Sequence, residues 1–208
     1  IDYDTIRRYP KILVGYSDIT ALMMALYRQS GLVTFHGPMM ARLPSRPAHA
    51  LKQLFGLLGG EQPVTIHGKD AQALLEGRAQ GPVVGGNLSL LCHLLGTPFF
   101  PRLEGAILLL EDKGEALYRL DRMLTHLMLA GQFSHLAGVV GGQFLDCGPM
   151  NAVNDLIKTT FSKNHIPVVT GFPVGHGSEN MTIPMGIRAE LDTRRMTLST
   201  LEPHVVMI

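Results

Sequence analysis

Apolar positions along the chain switch between strand-like runs and helical spacing, and the switches predict the elements. KILVG, 11–15, is a short β-branched and apolar run; in DITALMMALYRQS, 18–30, Ile19, Leu22, Met23, Leu26 and Tyr27 recur at helical spacing, and Gly31 supplies the stop. LVTFHGP, 32–38, reads as a second strand, so this region predicts a β-turn-α-β unit and with it a parallel, helix-covered sheet. Because IDYDTIRRYP leads straight into the first of these strands, earlier strands of such a sheet are expected upstream, in a longer protein. Between 42 and 82, LPSRP breaks structure, AHALKQLFGLL reads as a helix, VTIHG as a strand, and GRAQGP as a boundary between two domains, 1–76 and 77–208.

The second part continues the alternation. PVVGGNLSLLCHLLG reads as strand, glycine turn and helix, and GAILLLED as a buried strand ending in two carboxylates. EALYRLDRMLTHLMLAG predicts a helix with Leu117, Leu120, Leu124, Leu127 and Met128 on one face. AGVVGGQF and IPVVTGF add strands around a helix near 149–162, and IPMGIRAELDTRRMTLST alternates on both sides of DTRR as a hairpin would. The fold class expected is α/β in two domains.

Composition narrows the function classes. The 208 residues are 46% hydrophobic and 17% charged, as in globular proteins, and 18 basic against 17 acidic residues leave a net charge of +1. That balance carries no electrostatic footprint for nucleic acid or a membrane surface. Cys92 and Cys147 are far apart, which argues against a disulfide framework or a four-ligand zinc site and reads as buried free thiols in a reducing compartment. No apolar stretch reaches the ~20 residues that span a bilayer.

Several residues could carry chemistry. Ser17 in GYSDIT stands on the turn between a predicted strand and a predicted helix, the context of a nucleophile elbow, although Ile19 occupies the second glycine position of GxSxG. The competing role for Ser17 or Asp18 is the helix N-cap. A serine nucleophile needs a base; among nine histidines, His176 stands out in GFPVGHGSEN, where two glycines flank it on a loop after a buried strand. For the orienting acid, GAILLLED offers Glu111 and Asp112; Asp112 and Glu115 also suit the start of the following helix, and Asp146 is a further candidate. No metal-ligand spacing appears, and GGN at 85–87 is too short for a phosphate-binding loop.

KILVGYSDIT, TFHGPM, GGNLSLL, LLLEDKGEALYRLDRML and GFPVGHG, in that order, resemble the LD-carboxypeptidase family of serine peptidases, most closely its murein tetrapeptide carboxypeptidase branch. The resemblance implies a catalytic triad of Ser17, Glu111 and His176, with the backbone N–H of Asp18 as one oxyanion donor and a second donor upstream of this sequence. It implies a flavodoxin-like N-terminal domain and a swivelling β/β/α C-terminal domain. The reaction implied is hydrolysis of the bond between meso-diaminopimelate and a terminal D-alanine in murein tetrapeptides, without cofactor or metal, by a cytoplasmic homodimer in peptidoglycan recycling. The substrate carboxylate then needs a partner, for which Asn87, Arg119 and Arg122 are candidates. Two other readings stand beside it: a peptidase of the microcin C immunity kind, which the lack of Trp and the 6% aromatic content disfavour, and a non-catalytic muropeptide-binding fragment.

Overall fold

The computed structural model describes residues 1–61 and 63–205. In chain order the helices are α1 (Tyr3–Arg8), α2 (Ile19–Ser30), α3 (Ala48–Leu58), α4 (Leu88–Leu94), α5 (Leu117–Leu129) and α6 (Met150–Phe161), with a 3-10 helix at Met40–Ser45. The strands are β1 (Val14–Gly15), β2 (Thr34–His36), β3 (Thr65–His67), β4 (Gln72–Leu75), β5 (Arg78–Asn87), β6 (Ile107–Lys113), β7 (Gly138–Leu145), β8 (Val168–Thr170), β9 (Ile183–Met185), β10 (Arg188–Asp192) and β11 (Thr197–Thr200).

They form two sheets: a small one ordered β1-β2-β9, and a large one ordered β3-β11-β10-β5-β6-β7-β8-β4. The strands β5 to β8 are parallel and lie in sequence order. Right-handed crossovers between strands that advance in one direction put all connecting helices on one face. Accordingly α4, α5 and α6 pack in a row, with α4 against β5 and β6, and α6 against β8 and β4. A parallel strand covered on both sides has no polar face to spare. Ile107, Leu108, Leu109 and Leu110 in β6 are all 0% exposed. The amphipathic α5 turns Leu120, Leu124 and Leu127 into the same core, each such burial being worth about 1.5–3 kcal/mol.

The bridge between the sheets is α2, which packs on β2 of the small sheet and on β5 and α4 of the large one. Gly86 makes that approach possible: it has φ +137°, and a Cβ there would come within 2.8 Å of the Thr20 hydroxyl. The Thr20 hydroxyl instead accepts the Asn87 N–H at 3.2 Å, so the start of α2 is pinned to the end of β5.

The long elements and the terminal hairpin match the periodicity. The differences have local causes. Residues 78–82 of GRAQGP, where the sequence places a boundary, form the first half of β5 and pair with β10. Its Gly81 is there because the Gly105 carbonyl lies against the position a side chain would take. IDYDTIRRYP does not run straight into a strand: residues 3–8 form α1, started by the Asp2 carboxylate accepting the Asp4 and Thr5 N–H groups. Among the described residues no helix is long and apolar enough to cross a membrane.

Candidate active site

At the end of β1 the chain turns through Tyr16 and Ser17 directly into α2. Ser17 has φ +60°, a left-handed conformation that a serine adopts only when its surroundings impose it. The imposing contact is Gly15 with Ile19: a Cβ on Gly15 would come within 2.6 Å of Ile19 Cγ2, so the missing side chain on one residue makes room for the branched side chain of the other. This resolves the departure from GxSxG. Neither competing cap is made, since Asp18 gives no side-chain cap bond to α2 and the Ser17 hydroxyl faces elsewhere. The Asp18 N–H makes no hydrogen bond among the described residues, whereas those of Ile19 and Thr20 bond back to Tyr16 and Ser17.

The Ser17 hydroxyl lies 3.0 Å from His176 Nε2, and His176 Nδ1 lies 2.7 Å from Glu111 Oε2. A carboxylate can only accept, so Nδ1 carries the imidazole proton, and Nε2 is left to accept from the serine hydroxyl. Glu111, at the end of β6, is 0% exposed. It is enclosed by two glycines: a Cβ on Gly175 would meet its Oε2 at 2.6 Å, and one on Gly142 its Cβ at 3.2 Å. In this dry setting the carboxylate holds one imidazole tautomer and can stabilise the imidazolium.

The loop carrying His176 is fastened from several directions. Asn180, fully buried with φ +42°, accepts the Gly175 N–H at 3.0 Å. Gln53 from α3 brackets Thr182, accepting its N–H at 3.0 Å and donating to its carbonyl at 2.7 Å. Arg46 donates to the carbonyls of Gly177 and Ser178. Tyr16 stacks edge-on against His176, with ring centroids 5.0 Å apart, and also faces His36 at 6.4 Å. His36 is completely buried, and neither ring nitrogen has a partner among the described residues. Burial holds its pKa below 6.5, against the pull of Glu111, and His176 adds to the lowering.

The other candidates are placed as follows. Asp112 points away from Glu111: it accepts from Asn87 Nδ2 at 2.9 Å, from the Ser89 N–H at 3.0 Å and from the Ser89 hydroxyl at 2.8 Å. It thus serves the start of the preceding helix α4 rather than the following one, and burial raises its pKa in spite of those bonds. Asn87 caps α4 by accepting the Leu90 N–H, so its amide is engaged at both ends. Glu115 pairs with Arg119 at 3.4 Å on α5, and Arg122 lies over the Tyr118 ring at 5.5 Å; both arginines are exposed. Asp146 is exposed beyond β7. His49, His67, His93, His126, His135 and His165 are also exposed, while buried His204 bonds the Leu57 carbonyl at 2.9 Å. Burial, with Asp112 nearby, pushes the Cys92 thiol up to about 11. Among the described residues no group of three or more His, Cys, Asp or Glu could hold a metal ion.

A cleft of about 570 Å³ lies at the carboxyl ends of β7 and β8, bounded by Gln143 and Ser178 and carrying Lys69, His67, Asp70 and Glu179; Ser178 is two residues beyond His176, but none of Ser17, Glu111 and His176 lines the cleft. Ligands of open α/β sheets bind at this edge.

Comparison with known proteins follows the same outline. The LD-carboxypeptidase C-terminal domain pattern matches residues 80–191, and the LD-carboxypeptidase N-terminal domain pattern matches residues 1–37. A protein of Bacillus subtilis described as a probable murein peptide carboxypeptidase is 38% identical over 208 residues, covering 95% of this chain and 65% of its own length. The crystal structure of a muramoyltetrapeptide carboxypeptidase from Oxalobacter formigenes superposes with a TM-score of 0.83 at 30% identity, over 96% of this chain and 71% of that one. An MccF-like protein from Bacillus anthracis superposes at 0.86 with 29% identity, over 97% and 70%. The chain spans 64–66% of the length of the first curated relatives it matches.

Proposed function

The chain belongs to the LD-carboxypeptidase family, and from that premise we propose that it is the serine-peptidase part of an enzyme that removes the terminal D-alanine from murein tetrapeptides during peptidoglycan recycling. The observation that carries the reading is the unbroken relay from Ser17 through His176 to buried Glu111, with contacts of 3.0 and 2.7 Å. His176 takes the hydroxyl proton through Nε2 as Ser17 attacks the scissile carbonyl, and Glu111 stabilises the imidazolium. The Asp18 N–H, at the start of α2 and without a hydrogen bond among the described residues, would receive charge on the tetrahedral intermediate. His176 then hands its proton to the departing D-alanine nitrogen, and water, deprotonated in turn by His176, releases the acyl group.

The relatives described as murein peptide and muramoyltetrapeptide carboxypeptidases support this substrate class. So does the cleft, whose Lys69, His67, Asp70 and Glu179 suit a peptide bearing both ammonium and carboxylate groups, as diaminopimelate does. The test is release of D-alanine from a tetrapeptide ending in meso-diaminopimelate and D-alanine. Ser17→Ala should lower kcat by roughly 10⁴-fold or more with circular dichroism unchanged; turnover retained by that variant would exclude Ser17 as the nucleophile. Faster cleavage of an aminoacyl-adenylate analogue than of the tetrapeptide would instead favour a role like that of MccF.

A further inference from the structure

Of the 18 lysines and arginines in the chain, 17 are exposed and one, Arg46, is partly buried. It follows the 3-10 helix Met40–Ser45, between Pro44 and Pro47, whose rings restrict the backbone on both sides. Its own N–H bonds the Leu43 carbonyl at 3.0 Å. The position is therefore built, and the side chain reaches across the molecule to the residues that follow His176. Nη1 donates to the Gly177 carbonyl and, at 2.8 Å, to the Ser178 carbonyl.

What Arg46 lacks is a counter-ion. Arg7, Arg78, Arg119, Arg194 and Arg195 each meet a carboxylate, but no carboxylate among the described residues pairs with Arg46. Its Nε is buried without a partner among the described residues. A guanidinium stays charged at any physiological pH, and removing it from water without an anion is unfavourable. Two peptide carbonyls on Nη1 offset part of that cost, and Nη2, which makes no hydrogen bond among the described residues and is not walled in as Nε is, remains to meet an anion.

We propose that Arg46 receives the terminal carboxylate of the substrate, an inference that rests on the carboxypeptidase reading above. An enzyme that removes only the last residue must recognise a chain end, and the chemical mark of a chain end is a free carboxylate one residue beyond the scissile carbonyl. A planar guanidinium fork matches a carboxylate better than any other side chain. Anchored to the carbonyls next to the catalytic histidine, Arg46 ties the recognition of that carboxylate to the loop that supplies the base. The exposed arginines Arg119 and Arg122, already engaged on α5, have no such link.

The test compares kcat/KM for the tetrapeptide acid with kcat/KM for the same peptide carrying a C-terminal amide, in the wild type, Arg46→Gln and Arg46→Lys. The wild type should prefer the acid by roughly 10²-fold, the scale of a charge pair lost from one side. Arg46→Gln should bring that ratio near unity, chiefly by raising KM for the acid, and Arg46→Lys should restore part of it. If Arg46→Gln proves too unstable to assay, a reduced preference for the acid in Arg46→Lys supports the proposal and an unchanged one overturns it. Equal losses on both peptides would also overturn it, leaving Arg46 as a clamp on the loop while the carboxypeptidase reading stands. Failure of the wild type to cleave either peptide would remove that reading, and this proposal with it.

Discussion

Ser17 and His176 arrive at a 3.0 Å contact from two regions that are built in opposite ways. The elbow is local: Gly15, the left-handed Ser17 and Ile19 lie within a few residues, and each dictates the next. The histidine loop is held from within by Asn180 and from afar by Gln53 and Arg46, both more than 100 residues away in sequence. A local device has one point of failure, whereas a loop with several anchors should weaken by steps.

Among changes to the supports of these two regions, the largest effect should follow from Gly15→Ala. Its Cβ would sit 2.6 Å from Ile19 Cγ2, so the helix start must shift. Stability should fall by about 1–3 kcal/mol, and turnover by roughly 10²-fold, as misplacement of a reacting group by about 1 Å does. Adding Ile19→Ala should recover much of both; no recovery in melting temperature or kcat would show that the Gly15–Ile19 contact does not set the elbow. Asn180→Ala should do less, because Arg46 and Gln53 remain: about 10-fold in kcat with KM little changed, and about 1–2 kcal/mol in chemical denaturation. A loss as large as that of Gly15→Ala would erase the contrast between the regions.

The smallest effect concerns pH, and it comes from His36 beneath the elbow. Its folded pKa lies below 6.5, so the unfolded chain takes up a proton that the folded chain refuses. Stability present above pH 6.5 is therefore lost as pH falls below it, by up to ~1.4 kcal/mol per pH unit until the folded value is reached. Urea melts of the wild type and His36→Gln between about pH 5 and 7.5 should differ in slope, by at most one proton, with the wild type losing more stability as pH falls. Parallel slopes would exonerate His36.

The same contrast explains what could be read from the sequence. The Ser17 elbow was legible because strand, glycine and helix start are neighbours; the apolar run of GAILLLED pointed to Glu111 and Asp112 alike, and only the family resemblance singled out Glu111. Asp112 was assigned to the wrong helix: its partners Asn87 and Ser89 come from another βα unit, which no local pattern reveals. Arg46 and Gln53 were missed for the same reason, although an Arg between prolines is a signal in retrospect; Asn180 bonds Gly175 only five residues away, so an Asn after two glycine-rich turns was a local signal left unread. β5 was cut short because glycine and proline ordinarily punctuate structure, and only the Gly105 backbone beside Gly81 explains a glycine inside that strand.

The path of the chain after His176 has a consequence for inheritance. The histidine follows β8 of the large sheet, and residues 177–182 lead at once into β9 of the small one. Serine belongs to one sheet, glutamate to the other, and histidine to the strap that joins them. Two strand pairings therefore fix the length of that strap at both ends, as buckles do. Lineages can lengthen surface turns elsewhere, but a residue gained or lost between 177 and 182 would pull Asn180 off Gly175 or take β9 out of step with β2. In this stretch, drift in length should be the rarest kind of change.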